Sequence, residues 1–406
     1  MRPSWAARPP WGRQAIRRIV MTLGLVAALA SVYIGAHRAL SPAGGFGSSD
    51  FQWSPTRLFL HGIDPYQARL DGSPDIILTQ SPNYLHLLYE ILIPFGALPF
   101  RVAAVCWLVL SVVLAVGLAV FYARMASLGR TGTVLLVAMV LCSTPLRLGL
   151  GYGQHAVFLL VFATMAFAAS TRSWAGAPLA VALTKYSFAP LALVLLVAGR
   201  LRQVVVAGTV LLSAAAVFAA VTSTGFLATL VAPLTVSRAA VGAGAADLMT
   251  VAGLTPWLDG NELPVTALAV AGSLLLAVVA RRQIRSGDWV FVLGIASVIS
   301  LLCFKHLVHD LVFLLPVVVL ALRLRGRRAA CAWALLAYHW FVVGILSQLG
   351  TPMDTPAVIV ASFVAMAALF LVLLGDPAVL RPVQGGDRAD GGDAEPEHHA
   401  AQLLGR

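Results

Sequence analysis

Long apolar runs separated by short polar connections are the dominant pattern of this 406-residue chain. A helix needs roughly 20 apolar residues to cross a bilayer, and only helices or closed barrels can span one. The sequence lacks the alternation typical of barrel strands. It therefore predicts an all-α polytopic membrane protein, with apolar segments at 20–34, 102–121, 134–146, 156–169, 178–198, 204–221, 265–280, 289–304, 307–322, 329–346 and 357–374.

Arginine placement predicts the orientation of these segments, because basic connections tend to stay cytoplasmic. Arg172 and Arg200 flank the segment 178–198, and one spanning helix cannot leave both on the same side. Two short helices forming a hairpin can, with a break near 185–190, where a proline disfavours helix in the preceding residue. With this hairpin the chain has about twelve transmembrane helices, and the N- and C-termini are both cytoplasmic.

The domain organisation follows from the same pattern. Residues 1–375 form one transmembrane domain in the inner or plasma membrane, with an outer loop at 37–100 that holds most of the candidate chemistry. Residues 376–406 are rich in Gly, Asp and Glu and are predicted to form a disordered cytoplasmic tail. The basic start of the chain also suits a cleaved signal peptide. A retained first helix is favoured, because no small-residue cleavage site precedes Asp50.

Composition narrows the function further. Hydrophobic residues make up 59% of the chain and charged residues 11%, with a net charge of +11. The positive charge does not indicate nucleic-acid binding, because the arginines cluster at the ends of apolar segments, as topology requires. The four cysteines lie inside apolar segments without metal-ligand spacing, and no nucleotide-binding loop is present. No nucleic acid, metal or nucleotide partner is predicted.

A short juxtamembrane helix is predicted just after the first span. Ser54–Pro55 is a typical helix start, residues 57–61 form the helix, and Gly62 stops it. Asp64–Pro65 indicates a turn. Asp50 then lies beside the outer membrane surface, either as an ordinary solvated loop acid or as a functional carboxylate.

Two lysines, Lys185 and Lys305, are the only ones in the chain, and both fall within or beside apolar segments. An intramembrane charge is costly and is usually paired or functional. Lys185 lies at the predicted hairpin break. If residues 305–310 are helical, Lys305 and His309 share a face. This segment predicts either an anion-binding cluster or a buried ion pair, with Asp310 bonded to Lys305 or to a histidine at position 306.

Four spaced motifs resemble those of glycosyltransferase family 87, polytopic enzymes with the GT-C fold that include polyprenol-phosphate-mannose-dependent α-mannosyltransferases. The resemblance covers roughly residues 15–375, although Asp310 stands where the family usually has a second histidine. The motifs are Asp50-Phe51 with Gly62-Ile63-Asp64-Pro65-Tyr66; Ser81-Pro82-Asn83-Tyr84 through Pro94 and Pro99; Gly153-Gln154 with Lys185 and Pro190; and His309 through Leu314-Leu315-Pro316.

This resemblance implies transfer of a hexose, with mannose first among them, from a polyprenyl-phosphate donor to a lipid or glycan acceptor on the non-cytoplasmic face. The phosphate is already a good leaving group, so a single base suffices and the anomeric carbon inverts. Asp50 would be that base, and no cofactor is implied. The residues expected to bind donor phosphate or substrate are Arg57, Tyr66, Gln154, Lys185, Lys305 and His309.

Two alternatives remain open from the residues themselves. A GT-C transferase for an aminosugar or a pentose would have the same pattern. A lipid or solute transporter would favour paired halves and charges along a central path, whereas the acidic residues here concentrate on one predicted face.

Overall fold

The structure is a computed structural model that describes residues 10–41, 50–76, 82–169, 171–240, 262–348 and 356–375. Within these ranges it contains helices and connections and no strand, which confirms the all-α prediction there. The α-helices are α1 (Pro10–Leu40), α2 (Trp53–Leu60), α3 (Pro65–Leu70), α4 (Leu87–Ile91), α5 (Ile93–Gly96), α6 (Phe100–Met125), α7 (Arg130–Cys142), α8 (Thr144–Gly151), α9 (Ala156–Ala168), α10 (Gly176–Ala182), α11 (Ala189–Val197), α12 (Leu201–Thr222), α13 (Phe226–Ala240), α14 (Glu262–Val279), α15 (Arg281–Ser286), α16 (Trp289–Cys303), α17 (Leu315–Arg323), α18 (Gly326–Ala337), α19 (Val343–Gln348) and α20 (Pro356–Leu374).

Short 3₁₀ helices and one π-helix interrupt this series. The 3₁₀ helices cover Ser173–Ala175, Tyr186–Phe188 and Val308–Leu314, and the π-helix covers Tyr338–Val342. The predicted tail at 376–406 lies outside the described residues.

Four helices in the described part of the chain are long and apolar enough to cross a membrane: Gln14–Leu40, Phe100–Met125, Leu201–Thr222 and Gly326–Leu346. The pair α7 and α8, bent by 52°, is a fifth candidate. The other apolar helices are 10–17 residues long, which is short for a bilayer. A membrane protein is therefore supported, whereas the count of about twelve spans and the GT-C fold remain predictions.

The segment 178–198 is broken where the sequence predicts, because α10 ends at Ala182 and α11 begins at Ala189. The two ends of this segment lie close together in space. Gln203, at the start of α12, donates a side-chain hydrogen bond to the carbonyl of Arg172, just before α10, at 3.2 Å. The segment is therefore a hairpin of two short helices that carries the break at its tip.

The arginine-rich connections meet at one end of the helix bundle, here called the basic end. Arg285 donates to the carbonyl of Val197 at 3.2 Å, and Arg323 pairs with Asp288 at 2.8 Å. This clustering is the arrangement that the positive-inside rule requires. The side of the membrane on which the basic end lies, and hence the orientation of the termini, remains a prediction.

The lengths of α9 and α16 determine how far the residues at their far ends lie from the basic end. Helix α9 has 13 residues and α16 has 15, and at 1.5 Å per residue each reaches about 20 Å from the basic end. This is less than the roughly 30 Å of a hydrocarbon core. Residues just before α9 and just after α16 therefore lie at the same level as the hairpin tip.

The segment after α1 packs into the bundle opposite the basic end. Phe59 of α2 stacks on Phe218 of α12 with 5.1 Å between ring centroids, and the ring of Tyr66 lies 5.5 Å from that of Phe218. Burying an aromatic side chain of this size contributes about 1.5–3 kcal/mol. Helix α2 is therefore anchored on α12 through its inner face.

The local details of this segment differ from the sequence prediction at two points. Helix α2 begins at Trp53, so Ser54 is not its N-cap, although Gly62 follows the helix end with φ of +75° as expected. Asp64 does more than form a turn. Its carboxylate caps α3 by accepting the backbone N–H of Tyr66 at 2.8 Å.

Candidate active site

Asp50 is buried, with only 1% of its surface exposed, so the interpretation as a solvated loop acid is wrong. The backbone turns sharply after it, because Phe51 and Gln52 adopt positive φ values of 38° and 65°. This turn aims the carboxylate back at α2. The backbone N–H of Ser54 donates to its Oδ1 at 2.7 Å, and the Ser54 hydroxyl donates to its Oδ2.

Burial raises the pKa of Asp50 from 3.8 to about 6, and the two hydrogen bonds from Ser54 act in the opposite direction. A carboxylate with this pKa is ionised at neutral pH and is a stronger base than a solvated one. General base catalysis is most effective when the pKa lies near the working pH. The local structure therefore suits proton abstraction.

A chain of aromatic rings leads from the Asp50 loop into the bundle. Phe51 stacks on Trp107 of α6, with centroids 5.3 Å apart and planes within 8°. Trp107 contacts His155 at 4.8 Å, and His155 contacts Tyr84 at 5.0 Å. The residue after Asp50 is thus connected by direct contacts to the start of α9.

At the hairpin tip, Lys185 forms an ion pair with Asp310, with Nζ 2.5 Å from Oδ2. Asp310 is fully buried, and the same oxygen lies 3.0 Å from Nδ1 of His306. Ser300 of α16 lies 3.0 Å from the other ring nitrogen of His306 and donates to the carbonyl of Ser187 at 2.8 Å. This buried polar cluster joins the hairpin tip to the connection after α16.

Two hydrogen bonds attach the outer segment 82–86 to this cluster. The backbone N–H of Leu85 donates to the carbonyl of Thr184 at 2.7 Å, and the Tyr84 hydroxyl donates to Oε1 of Gln154 at 3.4 Å. Tyr84 and Leu85 thus link Gln154 to Thr184, the residue before Lys185, and the substrate-binding roles of Gln154 and Lys185 remain predictions. Tyr66 is fully buried, and its hydroxyl donates to the Tyr84 carbonyl at 2.6 Å. It therefore holds the backbone of this segment in place.

The predicted helical face shared by Lys305 and His309 is wrong, because residues 305–307 are not helical. Of the two predicted partners of Asp310, the histidine at 306 is confirmed and the lysine is Lys185 instead. Lys305 is half-buried, and no other described residue forms a hydrogen bond or ion pair with it. Arg57 also lies apart, exposed on α2, with its guanidinium 5.2 Å from the Trp53 ring centroid.

His309 lies within the cluster and is 4% exposed. Its Nε2 is 3.7 Å from Oδ1 of Asp310, too far for a hydrogen bond. Among the described residues neither atom has another hydrogen-bond partner. Buried polar atoms are nearly always paired, so these two are available to a polar ligand.

Sequence reasoning missed Arg38 and Arg147, at the end opposite the basic end. The Arg38 guanidinium lies 5.3 Å from the ring centroid of Tyr152, and Arg147 is half-buried on α8. The positive-inside rule assigns arginines to cytoplasmic connections and gives these two no role in binding. Their position in the sequence distinguishes them. Each follows an apolar segment that is also preceded by a basic connection, so the two ends of that segment cannot both be cytoplasmic.

A membrane glycosyltransferase is the class that the apolar helices and the family comparison define together. Residues 88–304, slightly more than half of the chain, match the model of Glycosyltransferase family 87. The chain therefore belongs to glycosyltransferase family 87. No curated protein and no solved structure matches it. The matched region includes Gln154 and Lys185 but ends before Lys305 and begins after Asp50.

Proposed function

We propose that this protein transfers a hexose, with mannose first among the candidates, from a polyprenyl-phosphate donor to a lipid or glycan acceptor on the non-cytoplasmic face. A membrane glycosyltransferase suits a donor whose lipid tail stays in the bilayer. The observation that carries the proposal is a buried carboxylate, Asp50, whose neighbour Phe51 is connected through the rings of Trp107 and His155 to Tyr84. Leu85, the next residue, donates to the carbonyl of Thr184, which directly precedes the Lys185–Asp310 pair.

In this reaction Asp50 takes the proton of the acceptor hydroxyl as the oxygen attacks the anomeric carbon. The bond from that carbon to the phosphate oxygen breaks, the electron pair leaves with the lipid phosphate, and the anomeric configuration inverts. The leaving group needs no proton, so one carboxylate suffices. Gln154, His309 Nε2 and Asp310 Oδ1 would hydrogen-bond hydroxyl groups of the sugar; the latter two atoms have no hydrogen-bond partner among the described residues.

The donor class is tested with purified protein in nanodiscs and a set of synthetic polyprenyl-phosphate sugars: mannose, glucose, an aminosugar and a pentose. We expect mass spectrometry to show transfer of mannose to co-purified or added lipid, with an inverted anomeric linkage. A preference for the aminosugar or the pentose would replace mannose in the proposal. Transfer from nucleotide sugars alone, or solute uptake without transfer, would contradict it.

The pH dependence should reflect Asp50. Its carboxylate must be ionised to accept a proton, and burial places its pKa at about 6. The value of kcat/KM, which reports the free enzyme, should therefore be constant at higher pH. It should fall roughly tenfold per unit below pH 6. Initial rates measured at acceptor concentrations well below KM from pH 4.5 to 8 check this, and an acid limb centred near 4 would contradict a buried base.

A further inference from the structure

The ion pair at the hairpin tip changes which cations can bind the departing phosphate. Lys185 lies 2.5 Å from Asp310, so its charge is already matched by a buried carboxylate. A phosphate placed there would have to displace or face that carboxylate. The cation that binds a lipid phosphate is better sought among groups without an acidic partner.

Arg38 and Arg147 are such groups, and two close helix contacts bring them together. The Cα of Gly35 in α1 approaches α8 so closely that an added Cβ would lie 3.1 Å from the carbonyl oxygen of Arg147. One turn later the side chain of Arg38 lies across Gly151, at 2.8 Å from such a Cβ. Both arginines therefore extend from the junction of α1 and α8, near enough for their charges to repel.

No described residue offers either arginine a hydrogen bond or an ion pair. Arg38 is exposed and Arg147 half-buried, and an anion bound between the two like charges would relieve their repulsion. The guanidinium group suits phosphate in particular, since its planar donors match two phosphate oxygens. Arg38 contacts the Tyr152 ring, but no acidic side chain among the described residues balances either charge. The pair thus has the charge of a phosphate site.

A small depression of about 10 Å³, enough for one water molecule, lies beside this junction. It is lined by Ala39, next to Arg38, and by Leu150 and Gly153 of the α8–α9 connection. Phe51 and Trp107 form its other side. The junction of α1 and α8 therefore lies close to the residue that follows Asp50.

We propose that Arg38 and Arg147 bind the phosphate of the polyprenyl-phosphate donor. The proposal rests on the proposed function for the identity of the donor. It assigns the phosphate to the arginine pair and leaves the cluster of Lys185, His309 and Asp310 to the sugar. The bond that breaks during transfer would then lie between the arginine pair and the Asp50 loop.

The test measures lipid binding without transfer. Wild-type protein in nanodiscs of phosphatidylcholine is titrated with a polyprenyl monophosphate, with the matching unphosphorylated polyprenol and with phosphatidylglycerol, and bound lipid is read by native mass spectrometry. We expect a clear preference for the monophosphate. The double variant R38Q/R147Q should lower its affinity at least about tenfold, as expected for loss of charge-assisted hydrogen bonds.

Arg101→Gln is the matched control, because Arg101 is an exposed arginine at the start of α6, at the same end of the bundle. It should leave binding unchanged, and thermal unfolding should show that all variants are folded. Equal affinity in R38Q/R147Q, an equal loss in Arg101→Gln, or a loss confined to phosphatidylglycerol would overturn the inference.

The failure of this inference is distinguishable from failure of the proposed function. If R38Q/R147Q transfers sugar with an unchanged KM for the donor, the proposed function stands and the arginine site is wrong. If no polyprenyl-phosphate sugar is a donor but monophosphate binding still depends on the arginines, the site stands and the proposed reaction is wrong.

Discussion

Replacing Asp50 by asparagine should lower the rate of sugar transfer about 10²- to 10⁴-fold, the contribution of a positioned general base. This corresponds to roughly 3–5 kcal/mol in the activation free energy. Asparagine keeps the size of the side chain, and its carbonyl oxygen can still accept the Ser54 backbone N–H that Asp50 accepts at 2.7 Å. It cannot take a proton at neutral pH. Single-turnover measurements on a defined donor isolate this step.

Asp64→Asn is the matched control for this substitution. Asp64 caps α3 through the backbone N–H groups of Tyr66 and Gln67, and asparagine caps helices about as well as aspartate. The same chemical change there should leave transfer nearly unaffected. A folded Asp50→Asn protein that transfers sugar at the wild-type rate would show that Asp50 serves only to cap α2.

Ser54→Ala separates the two roles of Asp50 further. The Ser54 hydroxyl donates to the carboxylate and lowers its pKa, so its removal should raise that pKa above about 6. The acid limb of kcat/KM should then move to higher pH while the base itself is retained. A purely structural carboxylate would give a change in stability with no shift in the pH profile.

The sequence could predict the class of the fold because each apolar run is a local property of the chain. The sequence also predicted the hairpin break. Arg172 and Arg200 flank one short segment and must lie on the same side of the membrane, and Pro190 disfavours a continuous helix within that segment. The predicted segments 156–169 and 289–304 also match the lengths of α9 and α16 closely. The sequence could not predict the polar cluster at the end of α16, because its contacts join residues far apart along the chain.

The site shows the same division between local and long-range information. Asp50 and Lys185 were identifiable because a carboxylate near the first span and a lysine in an apolar segment are rare in this chain. The partner of Lys185 was not, because Asp310 lies 125 residues away along the chain. Lys305 was expected on a helical face, but the backbone after Cys303 is extended and leaves it outside the cluster. The long-range contact with Asp310 therefore determines that Lys185, and not Lys305, has its charge neutralised.

Breaking the buried pair should have the largest effect on stability. In Asp310→Asn the Lys185 ammonium loses its carboxylate while most of its surface stays buried. Removing one partner of a buried pair typically costs about 3–5 kcal/mol. We therefore expect a lower free energy of unfolding in mixed micelles for Asp310→Asn and for Lys185→Met alike.

The double variant K185M/D310L decides what the pair is for. Replacing both charges by apolar groups removes the unpaired charge and should restore most of the lost stability. Asp288→Asn is the control, because Asp288 pairs with Arg323 at 2.8 Å at the basic end, away from the polar cluster, so it should lower stability without lowering transfer. If the cluster binds the sugar, K185M/D310L should be stable but slow, with transfer reduced about as strongly as in the single variants. Recovery of both stability and transfer would show that the pair only holds the hairpin tip to the connection after α16.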